Sequence, residues 1–148
     1  MTNLSYRFAR KTAMKKHTIL APLGAALLLS SCSPFVSHWS AKIFTHSNTS
    51  HAASMTFDEF EGLIVFNLKS EDKEHSVLEY KLNLTEGKFN ISYAYSEEEK
   101  YDIITISGTE KKEGSVEFAK TGKVYLLVES EGKAKSGDFE FTVTGEAK

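Results

Sequence analysis

The chain has a single cysteine, Cys32, placed directly after Leu29-Ser30-Ser31 at the end of an apolar run. A lone thiol closes no internal disulfide, so its available chemistry is that of a thiolate nucleophile that takes up a covalent group. Beyond it, His38, His46, His51 and His75 are candidate imidazole ligands, and Tyr93, Tyr95, Tyr101 and Tyr125 are candidate stacking surfaces for a ligand. Three imidazoles in one segment could collect Zn²⁺, yet no carboxylate stands among His38, His46 and His51 to orient them. The run Glu97–Glu99 with Asp102 lacks the alternate spacing and turn glycine of a calcium loop. Neither a Gly-x-Ser-x-Gly elbow, a Gly-x₄-Gly-Lys-Ser/Thr loop nor a His-Glu-x-x-His pair occurs. From Met55 onward His75 is the only histidine and cysteine is absent, so Ser-His or Cys-His nucleophilic catalysis would depend on one loop residue. The expectation is a protein with no catalytic residues, no metal site and no cofactor.

What precedes Cys32 explains why a nucleophile would stand there. Thr18 to Leu29 is an apolar segment too short to span a bilayer, which takes about 20 residues. Arg7, Arg10, Lys11, Lys15 and Lys16 lie before it with no acidic residue, giving the layout of a secretory signal. Residues 1–31 are therefore read as a leader, with Met14-Lys15-Lys16 offering a second start. Leu29-Ser30-Ser31-Cys32 resembles the lipobox of bacterial lipoproteins. The resemblance implies cleavage between Ser31 and Cys32, a diacylglyceryl group on the Cys32 thiol, palmitate-like acyl chains and attachment to a lipid bilayer. It places the protein outside the cytoplasm, at the bacterial cell surface or in the periplasm. Two or three acyl chains anchor firmly because each buried CH₂ contributes about 0.8 kcal/mol.

After the leader the chain carries 13 Lys+Arg against 20 Asp+Glu, a formal charge of −7. That sign disfavours nucleic acid as a partner, since a phosphate backbone calls for a basic patch. Without a disulfide, the remaining residues must be held by an apolar core, and their number suits one small domain.

Residues 32–54, rich in Ser, Thr and Ala, read as a lipidated cysteine and flexible tether. Phe35, Val36, Trp39, Ile43 and Phe44 are apolar for a spacer and fit either a lipid interface or a short helix packed on the domain. The 55–148 segment is strand-like. Leu78, Tyr80, Leu82 and Leu84 alternate with Glu79, Lys81 and Asn83, and Phe89, Ile91, Tyr93 and Tyr95 continue the pattern beyond Thr85–Lys88, which predicts a hairpin. Further strands are expected at 57–69, 101–107, 115–119, 123–129 and 138–144, about seven in all. Turn signals every 8–12 residues point to an all-β fold, a small antiparallel β-sandwich of jelly-roll type.

Gly122-Lys123-Val124-Tyr125 followed by Ser136-Gly137-Asp138-Phe139-Glu140-Phe141 resembles the closing strands of bacterial pre-peptidase C-terminal domains. The resemblance implies the same sandwich class and nothing about activity. The functional expectation is a membrane-anchored, non-catalytic binding module for a protein, a glycan or an envelope component. An inhibitor- or immunity-type lipoprotein that occupies one protein partner, and metal capture by the tether histidines, are the alternatives.

Overall fold

Alternation of apolar and polar residues becomes eight antiparallel strands in a computed structural model, which describes residues 33–70 and 76–145. Residues 1–32, with the leader, Ser31 and Cys32, and the loop carrying His75 lie outside the described residues. The strands are β1 His38–Asn48, β2 Ala52–Ser70, β3 Val77–Glu86, β4 Lys88–Ala94, β5 Lys100–Ser107, β6 Glu110–Glu117, β7 Gly122–Ser130 and β8 Ala134–Thr144. The described residues contain no helix.

The 19-residue β2 organises the others. Its first half, Ala52–Phe60, pairs with β8, and its second half, Leu63–Ser70, pairs with β7. Beyond β8 come β3 and then β6; beyond β7 come β4 and then β5. One strand thus serves both halves of a sandwich, and the inner faces meet on an aromatic cluster. Phe89 of β4 lies 4.9 Å from Phe139 of β8 and 5.5 Å from Phe57 of β2, ring centre to ring centre. All three rings are buried, together with Phe60, Phe66, Phe141, Leu78 and Ile106.

Three sequence expectations are corrected. The tether is not a spacer: the compact unit begins at Phe35, and β1 runs along β2 from His38↔Leu63 to Asn48↔Ala53. It is locked at both ends, because Ser37 Oγ accepts from Val65 N at 2.9 Å while the Asn48 side chain bonds both the N–H and the carbonyl of Asn67 at 2.8 Å. The Phe35–Phe44 segment forms no helix. The β3–β4 hairpin is also absent. Strand β3 pairs with β6 and β8, β4 pairs with β5 and β7, and the connection at Gly87 crosses from one half to the other. Finally, the described residues form eight strands where about seven were expected, β1 being the addition, and β6 and β8 start earlier than their apolar residues suggested.

A crease runs across β1, β2 and β8, and it explains why period-two counting failed there. Ala41 and Phe44 both pack on the core, as do Phe57 and Phe60, and Ala134 is buried like Gly137. Each strand therefore sends two successive residues outward: Lys42-Ile43, Asp58-Glu59 and Lys135-Ser136. Ile43 (φ 44°) and Ser136 (φ 49°) supply the left-handed backbone that this reversal requires.

Candidate functional site

Outward-facing side chains of β8, β3 and β6 meet in an open groove of about 510 Å³. The strand registers set its chemistry. Glu140, Lys81 and Glu113 form one rung across the three strands, and Asp138, Asn83 and Lys111 form the next. On β3 and β8 the alternate residues, Leu82, Phe139 and Phe141, are fixed in the core, so Lys81, Asn83, Asp138 and Glu140 stand on anchored backbone, while Lys111 and Glu113 are placed by the pairing of edge strand β6 with β3. Thr56 of β2 extends the second rung, its hydroxyl donating to Asp138 Oδ1 at 3.3 Å.

Elsewhere on the domain neighbouring opposite charges are joined: Lys42 with Glu59 at 3.0 Å, Lys88 with Glu131 at 3.0 Å, Lys135 with Glu86 at 3.7 Å, and Lys120 with Glu99. In the groove they are not. Lys81, Asn83, Lys111, Glu113 and Glu140 make no side-chain hydrogen bond or ion pair among the described residues, although they are cross-strand neighbours. Lys112 at the groove wall is engaged, donating to Thr105 O at 3.0 Å and lying 3.5 Å from Glu110. The result is a surface of free donors and acceptors at fixed spacing: ammonium donors from two lysines, carboxylate acceptors from two glutamates, and an amide that does both. No aromatic side chain lines it.

The four tyrosines proposed as a ligand face do not share one. Tyr93, Tyr95 and Tyr101 do come together, with Tyr101 stacked on Tyr93 at 5.0 Å and 15°, and with Phe118 edge-on to Tyr93 at 5.2 Å. Tyr93 is buried and Tyr95 half-buried; Tyr101 alone is exposed. The Tyr95 hydroxyl donates to Lys120 O at 2.9 Å and accepts from Lys120 N at 2.8 Å, which ties β4 to the β6–β7 connection. Tyr125 lies apart, tilted against Phe35 at 5.3 Å with Lys123 above its ring. Burial pushes the Tyr93 and Tyr95 phenols above their ordinary range. A raised phenol contributes stability that is complete below the unfolded-state value near 10 and is lost as pH rises through the native value. Alkaline titration followed by phenolate absorbance should therefore show two late tyrosines that ionise together with unfolding; early, unfolding-independent ionisation of all tyrosines would contradict this packing.

The histidines are held apart rather than gathered. His46 lies beside Trp39, 6.4 Å ring centre to ring centre, on the core-side face of β1, whereas His38, the neighbour of Trp39 in the strand, points to the opposite face. No three metal-ligating side chains come together among the described residues, so metal capture by His38, His46 and His51 has no assembled site.

Sequence reading had singled out Lys81 and Asn83 on the polar face of β3. It missed Lys111 and Glu113, because the charged edge strand β6 has no apolar stripe at that end. Asp138 and Glu140 were visible only as the polar half of an alternating strand.

No family model and no curated protein matches the chain. Solved structures do. TmCBM61 in complex with β-1,4-galactotriose is similar over 77 % of this chain and 91 % of its own, at 15 % identity and a TM-score of 0.50. A carbohydrate binding module of family 29 covers 77 % of this chain and 81 % of its own, at 17 % identity and a TM-score of 0.43. The first likeness establishes the fold, an antiparallel β-sandwich of jelly-roll type.

Proposed function

We propose that this chain is a bacterial envelope lipoprotein, anchored through acylated Cys32, whose sandwich binds a glycan in the β8-β3-β6 groove without catalysing a reaction. The observation that carries the binding half is the set of groups with no partner among the described residues, Lys81, Asn83, Lys111, Glu113 and Glu140, on adjacent paired strands. A sugar ring presents hydroxyls that donate and accept, and alternating lysine, carboxylate and amide side chains satisfy both roles at once. Pairing fixes the spacing of their backbones, and ordering the exposed lysine and glutamate side chains on a ligand costs about 0.5–1.5 kcal/mol each. With no ring to stack on, affinity rests on hydrogen bonds to charged groups, each worth about 1.5–3 kcal/mol. The fold likeness to TmCBM61, solved with β-1,4-galactotriose, supports a saccharide as the first ligand to try.

The test has two arms. Calorimetric titration with β-1,4-galactotriose and with envelope glycan fragments is expected to show binding that Lys81→Ala or Asn83→Ala weakens about tenfold or more, with unchanged thermal unfolding. Saccharide binding that both variants retain would place the ligand elsewhere. In cells, Cys32→Ser is expected to abolish palmitate labelling and release the protein from membranes; labelling that persists would remove the anchor.

A further inference from the structure

Among the described residues the exposed large apolar side chains are Val36 (74 % exposed), Trp39 (43 %), Ile43 (77 %) and Tyr101 (38 %). The first three fall on β1 or just before it. They sit in a stretch of unusual charge: Ser33 to Phe57 holds no Asp or Glu, whereas all 20 acidic residues lie from Asp58 onward. Opposite β1, Glu59 is joined to Lys42 at 3.0 Å, and Glu61 faces Ser40 along β2. An anionic domain thus begins with an acid-free strand tipped by apolar groups.

The third observation is reach. Because residues 38–48 are strand rather than spacer, only five residues separate Cys32 from the start of β1. A trans peptide chain extends about 3.5 Å per residue, so an anchor at Cys32 lies within about 20 Å of His38. The backbone gives a fourth. Ile43 adopts φ 44°, a region costly for a β-branched residue, and this reversal leaves its side chain exposed while Phe44 packs on the core.

We propose that β1 and the residues just before it form the membrane-facing side of the domain. Trp39 packs on Phe44 at 4.5 Å and Phe60 at 6.2 Å while Ile43 points from the opposite face, so it is the edge of β1 turned away from β2, with Val36, Trp39 and Ile43 along it, that lies in the interface of the bilayer holding the Cys32 acyl chains, and the sandwich is seated against the membrane instead of swinging above it. The proposal rests on the anchoring reading above. Indole favours the bilayer interface, and the absence of carboxylates in the segment avoids repulsion from anionic headgroups.

Trp39 is the only tryptophan in the chain, so its emission reports this face directly. The experiment uses the full-length acylated protein in phosphatidylcholine–phosphatidylglycerol vesicles with brominated acyl chains, followed by flotation, mass measurement of the N-terminal peptide, and tryptophan emission. The expected result is blue-shifted emission, most of it lost to the brominated chains and protected from aqueous iodide. The paired exposed-site variant Val36→Glu, Ile43→Glu should still float and keep the acyl mass while its quenching falls toward that of Cys32→Ser. Acylated protein that floats but leaves Trp39 unquenched and iodide-accessible would overturn the seating while sparing the anchor. Missing acyl mass together with failed flotation would overturn the anchor and the seating with it.

Discussion

Replacing Phe89 with alanine is expected to destabilise the domain by about 3–5 kcal/mol, the range for deleting a buried phenylalanine. Phe89 is fully buried on β4 and touches rings from the opposite half: Phe139 edge-on at 4.9 Å and 83°, Phe57 at 5.5 Å, and Phe60 at 5.8 Å. Its removal strips the point where the two halves meet. The ring stands between main chains whose positions are set by strand pairing, so the cavity cannot close by moving one loop. A small domain has about 5–15 kcal/mol in total, and each kcal/mol corresponds to about 4–8 °C, so the midpoint should fall by about 15 °C or more. Thermal and urea unfolding of the two proteins measure this. A loss below about 1 kcal/mol would mean the halves do not pack through this ring.

Gly62→Ala should cost about 3 kcal/mol and act on a different element, the attachment of β1. Gly62 has φ 122°, which a side chain rarely tolerates, and a Cβ there would stand 2.2 Å from the His38 carbonyl oxygen and 2.8 Å from Trp39 Cα. Both obstacles are backbone, so neither can swing aside. The glycine also donates its N–H to Ser130 Oγ at 2.9 Å, fixing β2 against β7 where pairing passes from β8 to β7. Hydrogen exchange should show β1 amides losing protection ahead of those in β3 and β4, with Trp39 emission moving to longer wavelength. Equal protection in both proteins would show that β1 is held independently of Gly62.

Period-two alternation was legible because it is a local property. Leu78, Leu82, Phe89, Ile91, Leu126, Phe139 and Phe141 could be assigned to the core from their own neighbours in sequence, and they are buried. The same reasoning lost Phe57 and Phe60, three apart, because the crease reverses the sides of β2 between them. It lost β1 for the related reason that Trp39, Ala41, Phe44 and His46 share a face only after the left-handed Ile43. Two residues of the candidate site, Lys81 and Asn83, were visible on β3, but which strands lie beside β3 is not written in its alternation.

The order of residue types by itself determined the all-β class, the sandwich core and the polar face of β3, since side-chain direction in a strand follows from the chain's own geometry. The leader and the Cys32 signal belong to the same level, readable as an expectation without any partner in space. Tertiary structure alone decided that β3 and β4 part company at Gly87, that β2 serves both halves, and that the segment resembling a tether is a strand. It also decided that Lys111 and Glu113 come to face Lys81 and Asn83. Pairing partners are chosen by which buried faces can meet across the whole chain, and that choice is non-local: an edge strand such as β6 carries little apolar signal of its own and takes its place from the neighbour that accepts its backbone hydrogen bonds.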